Sequence, residues 1–220
     1  MRVTRLDACG VPVIGACSTI VSAGFVSIAY SPEIEKADEI LVKAASGAIC
    51  VNDPGINQTK WFNAEATFCG VDPDMVNMMT GNALVLDALG SAAGYRVASG
   101  SPLANFGLEV WADISGQTCG PGVAREYGYF LLPYVTQGYV NDFKIENDAA
   151  SFVITGARTK DGSGWGVGPY DVDDTSIISG TVTPGPLLTA IGPRDHLDLH
   201  KTTIAPPAVT AGCVALAAPA

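Results

Sequence analysis

Apolar residues recur at every second position in several separate stretches of this chain, and each stretch is cut short by Gly, Pro or a polar cluster. Phe62, Ala64, Ala66 and Phe68 alternate with Asn63, Glu65 and Thr67. Phe106, Leu108, Val110, Ala112 and Ile114 alternate with Glu109, Trp111 and Asp113. In Ala150–Arg158, Phe152 and Ile154 share one face, while Ser151, Val153 and Thr155 share the other. A period of two places successive side chains on opposite faces of an extended strand, so these runs read as strands and not as helices. Tyr127–Val135 is apolar throughout, which predicts a strand covered on both faces, with Pro133 near its end.

Further strands are predicted at Phe25–Tyr30, Glu39–Ala44, Ala48–Val51 and Phe143–Glu146, the last joined to Ala150–Arg158 by a turn at Asn147-Asp148. Ser31–Asp38 reads as a loop or one helical turn. Ala83–Asp87 is expected to pair with Tyr95–Ala98 around Gly90–Gly94, and Ser115–Glu126 reads as a loop. Ser176–Ser179 and Leu187–Ile191 read as short strand pieces, and the chain from Thr202 as extended. No internal repeat and no clear boundary divides the 220 residues, so 1–220 is read as one domain. Ser179–Pro186 is the best linker candidate, and 176–220 reads as a C-terminal arm or as terminal strands.

One helix is predicted, Asp72 to Thr80. Asp72 is a capping residue, Pro73 suits the first helical position, Asp74 complements the positive end of the dipole, and Gly81 can end the helix in a left-handed conformation. Met75, Met78 and Met79 fall on one face. A helix this short needs packing on the sheet, so core filling is the first reading of that face. The sharper reading is an adaptable contact for a neighbouring subunit.

Charge and cysteines exclude several classes. The net charge of −10, with few Lys or Arg and no cluster of them along the chain, argues against a nucleic-acid binder, whose affinity comes from cations displacing counterions. Ala8–Pro32 is uncharged and long enough for a membrane span, but Gly10, Pro12, Gly15 and Gly24 and the alternation at Val26, Ile28 and Tyr30 favour strands. The start of the chain has no compact apolar core of a signal peptide. Cys9, Cys17, Cys50, Cys69, Cys119 and Cys213 include no Cys-x-x-Cys pair, and read as free, mostly buried thiols of a chain folded in a reducing cytosol. Pairs such as Cys9–Cys17 or Cys50–Cys69 stay open, because pairing does not follow from sequence.

Motifs for chemistry are sparse. Gly162, Gly164, Gly166 and Gly168 lead into Pro169-Tyr170, without the Gly-Lys-Ser/Thr and helix that a phosphate loop needs, and read as a flexible connection anchored by Trp165. His196, Asp198 and His200 would share one face of a strand, a set able to hold a metal, but the preferred reading is the ordinary polar face of a half-buried strand. Acidic pairs such as Glu33/Glu35 and Asp171/Asp173/Asp174 lack calcium-loop spacing. From the residues alone the chain is acidic, mainly β and not an enzyme, with no catalytic, cofactor-binding or metal site assigned.

The wording VITGARTKDGSGWGVGPYDV resembles the major tail (tail tube) proteins of long-tailed, non-contractile, siphovirus-type bacteriophages of actinobacterial hosts. The resemblance extends from VTRLDACGVPVIGACSTIVSAGFVSIAY through EATFCGVDPDMVNMMTG and YGYFLLPYV to GPRDHLDLH, and so covers most of the chain. It implies a β-sandwich or barrel of the tail tube type with one short flanking α-helix. It also implies a virion structural protein whose hexameric rings stack into a tail, with the inner sheets joined into a barrel that lines the channel for genome delivery. Implied partners are copies of itself and the other tail proteins (tape measure, terminator and distal tail), with double-stranded DNA only in passage, not bound, and no membrane. No cofactor is implied, and the expected location is the virion tail, with the host cytoplasm during assembly. Negative charge directed at such a channel would keep DNA from sticking. Met75, Met78 and Met79 of the helix, and Trp165 of the Gly-rich loop, are the expected assembly contacts. Alternatives are a tail terminator or head decoration subunit, a host- or carbohydrate-binding β-sandwich, and last a metal hydrolase built on His196, Asp198 and His200.

Overall fold

The computed structural model describes residues 1–70, 72–115, 125–141, 151–178 and 180–217. The strand expected at Phe143–Glu146, its turn at Asn147-Asp148, most of the loop at Ser115–Glu126, and Cys119 lie outside these residues. The described chain is mainly β with one short helix. In chain order the elements are β1 Arg2–Arg5, β2 Gly15–Val21, β3 Phe25–Glu35, β4 Ile40–Lys43, β5 Ile49–Asp53, β6 Gln58–Phe68, then α1 Pro73–Thr80. They continue with β7 Ala83–Leu86, β8 Ala92–Arg96, β9 Asn105–Asp113, β10 Tyr127–Thr136, β11 Tyr139–Val140 and β12 Phe152–Thr159. The last are β13 Asp173–Asp174, β14 Pro184–Gly185, β15 Asp198–Thr202 and β16 Val214–Leu216.

Ten strands form one antiparallel sheet in the order β16-β2-β1-β9-β10-β12-β6-β3, with β15 also on β10 and β11 also on β12. The sheet curls. The rings of Tyr30 on β3 and Phe130 on β10 stack 6.2 Å apart, although β12 and β6 lie between those strands in hydrogen-bond order. Irregular register at Leu132/Val135 on β10 and at Ile154/Ala157 on β12 accompanies that bend.

The central strands are buried on both faces. On β9, Phe106, Leu108 and Val110 enter a core with Met1, Val3, Phe68 and the helix. The opposite face carries Trp111, which packs with Tyr129, Leu131, Tyr134 and Trp165 beneath the segment 163–191. β10 divides its side chains the same way, which is why its sequence shows no alternation. Helix α1 closes the first core. Asp72 accepts a hydrogen bond from the Asp74 N–H, Pro73 opens the helix, and Gly81 ends it at φ 74° with its N–H donated to the Asn77 carbonyl. Met75, Met78 and Met79 are each 1% exposed.

Four expectations need correction. Ser31–Glu35 belongs to β3, which runs through Pro32 because β3 is the last strand of the sheet and needs ladder bonds on one side only. Ser176–Ile178 is not strand; its turn is held by the Asp174 carboxylate, which accepts the N–H groups of Ser176 and Thr183. Leu187–Ile191 contributes one isolated bridge, from Ile191 to Gly166. The cysteines are not all free and buried: Cys17 and Cys213 are joined, while Cys9, Cys50 and Cys69 are exposed. The bond ties the segment leading into β16 to β2, at one end of the sheet.

The strongest polar feature of the fold has no sequence signal. Glu109, in the middle of β9, has 0% exposure and sits opposite Arg2 on β1. Arg2 donates Nε to Oε2 at 2.6 Å and Nη2 to Oε1 at 2.5 Å. Tyr129 donates its hydroxyl to Oε1 at 2.7 Å. The guanidinium also lies 3.3 Å from the ring centroid of Tyr170 and 5.1 Å from that of Trp111. Burial alone would lower the Arg2 pKa, but the Glu109 carboxylate outweighs it and the net shift is upward. Burial, with Glu109 adding to it, pushes the Tyr129 phenol up strongly.

Removing one member of such a pair leaves the other charge buried alone. Glu109→Ala is therefore expected to lower the unfolding free energy by about 3–5 kcal/mol, read as a shifted midpoint in urea denaturation. Cys17→Ser, or added reductant, is expected to cost about 2–5 kcal/mol, because the bond closes a loop of 196 residues. Thermal melts with and without reductant check this, with Cys17→Ser insensitive to the reductant.

Candidate assembly surface

Among the described residues, β3 and β6 form the longest ladder, from Phe25↔Phe68 to Glu35↔Gln58. Toward Glu35 and Gln58 both strands become exposed on both faces, so the ladder leaves the sheet as an arm. The segment between them folds into the β4–β5 hairpin. Its turn is closed by Ala44 N–H to the Ala48 carbonyl and by Gly47 N–H to the Ala44 carbonyl. Asn57 Oδ1 accepts the Ala37 N–H and Asp53 Oδ1 accepts the Gly55 N–H, which fixes the two crossings between ladder and hairpin.

This hairpin is apolar on both faces and covered on neither. Ile40, Leu41, Ile49 and Val51 are exposed by 57%, 44%, 59% and 47%, and Val42 lies opposite Val51. A two-stranded hairpin is marginal by itself in water, and contiguous exposed apolar surface of this kind marks an interaction site. Leu86 and Leu89 of the β7–β8 hairpin, and Leu103 after it, are exposed too. That second hairpin differs in one respect, since β8 packs against α1.

At the base of the arm lies a cleft of about 1090 Å³. Lys60 and Trp61 reach it from β6, Arg158 from β12, and Lys160 and Arg194 from the loops beyond. A third of the chain's twelve Lys and Arg residues therefore meet in one place, a grouping that the sequence hides because it joins three distant stretches. Lys60 pairs with Glu35 at 2.6 Å. The ammonium of Lys60 and the guanidinium of Arg158 each lie 5.2 Å from the Trp61 ring centroid. Lys160 donates to the Tyr134 hydroxyl at 3.4 Å. Among the described residues, Arg158, Lys160 and Arg194 have no carboxylate partner.

The residues singled out from sequence lie elsewhere. Met75, Met78 and Met79 fill the core under α1, and Trp165, 4% exposed, lies against Gly107 of β9. All four side chains are enclosed by their own chain, which for the methionines is the core filling read first from the sequence. A Cβ at position 107 would overlap the Trp165 ring, which is why β9 carries glycine there. His196 does not join Asp198 and His200 in one site. His196 Nδ1 meets Thr159 Oγ1 at 2.8 Å and its Nε2 lies 3.0 Å from Asp161, which borders the cleft. His200 Nδ1 meets Asp198 at 2.9 Å and its Nε2 lies 2.8 Å from Asp173 on β13. Both histidines thus fasten the segment 160–195 to the sheet. Among the described residues, the sole grouping with metal-ligand proximity is Cys17, Asp74 and Cys213, and there the two sulfurs are bonded to each other.

No protein-family model matches the chain, and no curated protein matches it.

Gly107→Val is expected to expel Trp165 from its seat and to cost about 3 kcal/mol or more, the scale of losing a buried aromatic. A red shift of tryptophan emission together with a lowered melting temperature checks this.

Proposed function

We propose that the chain is a structural subunit that assembles with copies of itself, of the tail tube kind that its wording resembles. The observation that carries this reading is the β4–β5 hairpin, apolar on two faces and held away from the molecule's own core. A surface of that composition is tolerable when a partner covers it. The sheet supports the same reading. β3 is paired on one side only, which leaves a row of backbone groups for a strand of the next subunit. In the tail tube setting the copies form rings, the rings stack, and the net negative charge of the subunits keeps passing DNA from adhering. The role assigned to the chain is mechanical, with no reaction step.

A host- or carbohydrate-binding module is the second reading, favoured by Trp61 in an open cleft. It has weaker support, because two cations already occupy positions against the Trp61 ring, where a sugar would stack.

Negative-stain electron microscopy over a concentration series, with light scattering for mass, is expected to show rings or hollow stacked tubes. A monomer at every concentration would overturn the reading. Ile40→Lys with Val42→Lys should leave the fold intact, since both side chains are exposed, and should weaken association on the order of a hundredfold, the scale of losing a central apolar contact. Sedimentation velocity beside a thermal melt separates the two effects.

A further inference from the structure

The geometry points to the cationic cleft at the base of the arm as the receptor for the acidic, apolar hairpin of a second copy of this chain. The two surfaces complement each other in charge and in apolar character. The cleft holds Arg158, Lys160 and Arg194 without carboxylate partners, beside the apolar surfaces of Trp61 and Leu103. The hairpin carries Asp38 and Glu39 at its entry and Asp53 at its exit, against the single cation Lys43 near its turn, around Ile40, Leu41, Ile49 and Val51. Asp38 and Glu39 are exposed and have no cation partner among the described residues.

The occupant must come from another molecule. Glu35, Gln58, Thr59 and Lys60 line the cleft and also form the root of the arm. The ladder that joins arm to sheet is continuous there, so the hairpin cannot turn back into its own cleft without breaking it. An arm that enters the next copy's cleft leaves its own cleft free for another arm. Such a contact is heterologous, and repetition gives a ring where the rotation closes and a filament where it does not. The chain's net charge of −10 also bears on the choice of partner. A second copy is an anion that carries apolar surface to match Trp61 and Leu103, whereas duplex DNA would present its sugar-phosphate backbone and meet repulsion from the rest of the molecule. This contact depends on the self-assembly proposed above and specifies which surfaces meet.

Charge exchange tests it on the full chain. One variant reverses the cleft, Arg158→Glu with Arg194→Glu; the other reverses the hairpin, Asp38→Lys with Glu39→Lys. Each alone should associate at least about tenfold more weakly than the wild type in sedimentation velocity, because like charges then face each other. Mixed in equal amounts they should recover wild-type association, since the acidic arm of the first fits the basic cleft of the second, and the basic arm of the second fits the acidic cleft of the first. Circular dichroism controls for folding, and Arg194→Glu alone, at an exposed loop position, provides a cleft variant that leaves the sheet untouched. Variants that associate as the wild type does would overturn this contact while leaving self-assembly standing. A wild type that stays monomeric would overturn both. A short labelled DNA duplex that binds the wild type and not the cleft variant, with association unchanged between them, would overturn the second copy in favour of a phosphate-bearing partner.

Discussion

A charged pair in the middle of the sheet sets the terms for everything packed around it. Arg2 and Glu109 face each other across β1 and β9, both buried and Glu109 completely so. Burying two charges costs several kcal/mol per ion unless geometry and further hydrogen bonds compensate. The fold supplies both: a two-point contact, a donated hydroxyl from Tyr129, and the rings of Tyr170 and Trp111 against the guanidinium. Tyr170 is in turn held by Thr4 and Thr19. The pair therefore specifies the register of β1 on β9 and requires the segment carrying Trp165 and Tyr170 to close over it.

That requirement explains why a Gly-rich stretch is not a loose connection. Trp165 seats on Gly107, Ser163 is buried, Gly166 bridges to Ile191, and the two histidines hold Asp161 and Asp173 of the segment, His196 from beside Thr159 of β12 and His200 from β15. The segment forms a second layer on one face of the sheet, while α1 and its methionines form the layer on the other. With both faces of the central strands occupied, the arm is the part of the fold left without a core of its own. Burial is thus divided unevenly in space: the body is closed by it, and the arm and the cleft at its root remain open.

Local rules account for what could be read before the fold was known. The period of two at Phe62–Phe68 and Phe106–Ile114, the unbroken apolar run of β10, and the capping residues of α1 are consequences of neighbouring residues alone, and they recover the mainly β architecture and its one helix. They also anticipate that Trp165 anchors its loop. What chain order by itself determines here is which stretches are strands and which face of each is apolar, because pleat geometry acts over a few residues.

Tertiary structure decided the rest, because the contacts concerned join positions far apart in the chain. Glu109 reads as the polar face of a half-buried strand until β1 brings Arg2 to it from 107 residues away. Cys17 finds Cys213 at a separation of 196 residues, which no spacing rule selects. Lys60, Arg158, Lys160 and Arg194 form no cluster along the chain and become one when β6, β12 and the loop before β15 converge. The apolar hairpin looks like ordinary core strand material in sequence, since alternation reports which side chains are apolar and not whether anything covers them. Coverage is a property of the packed molecule, and here it separates a finished interior from a surface that a second chain can complete.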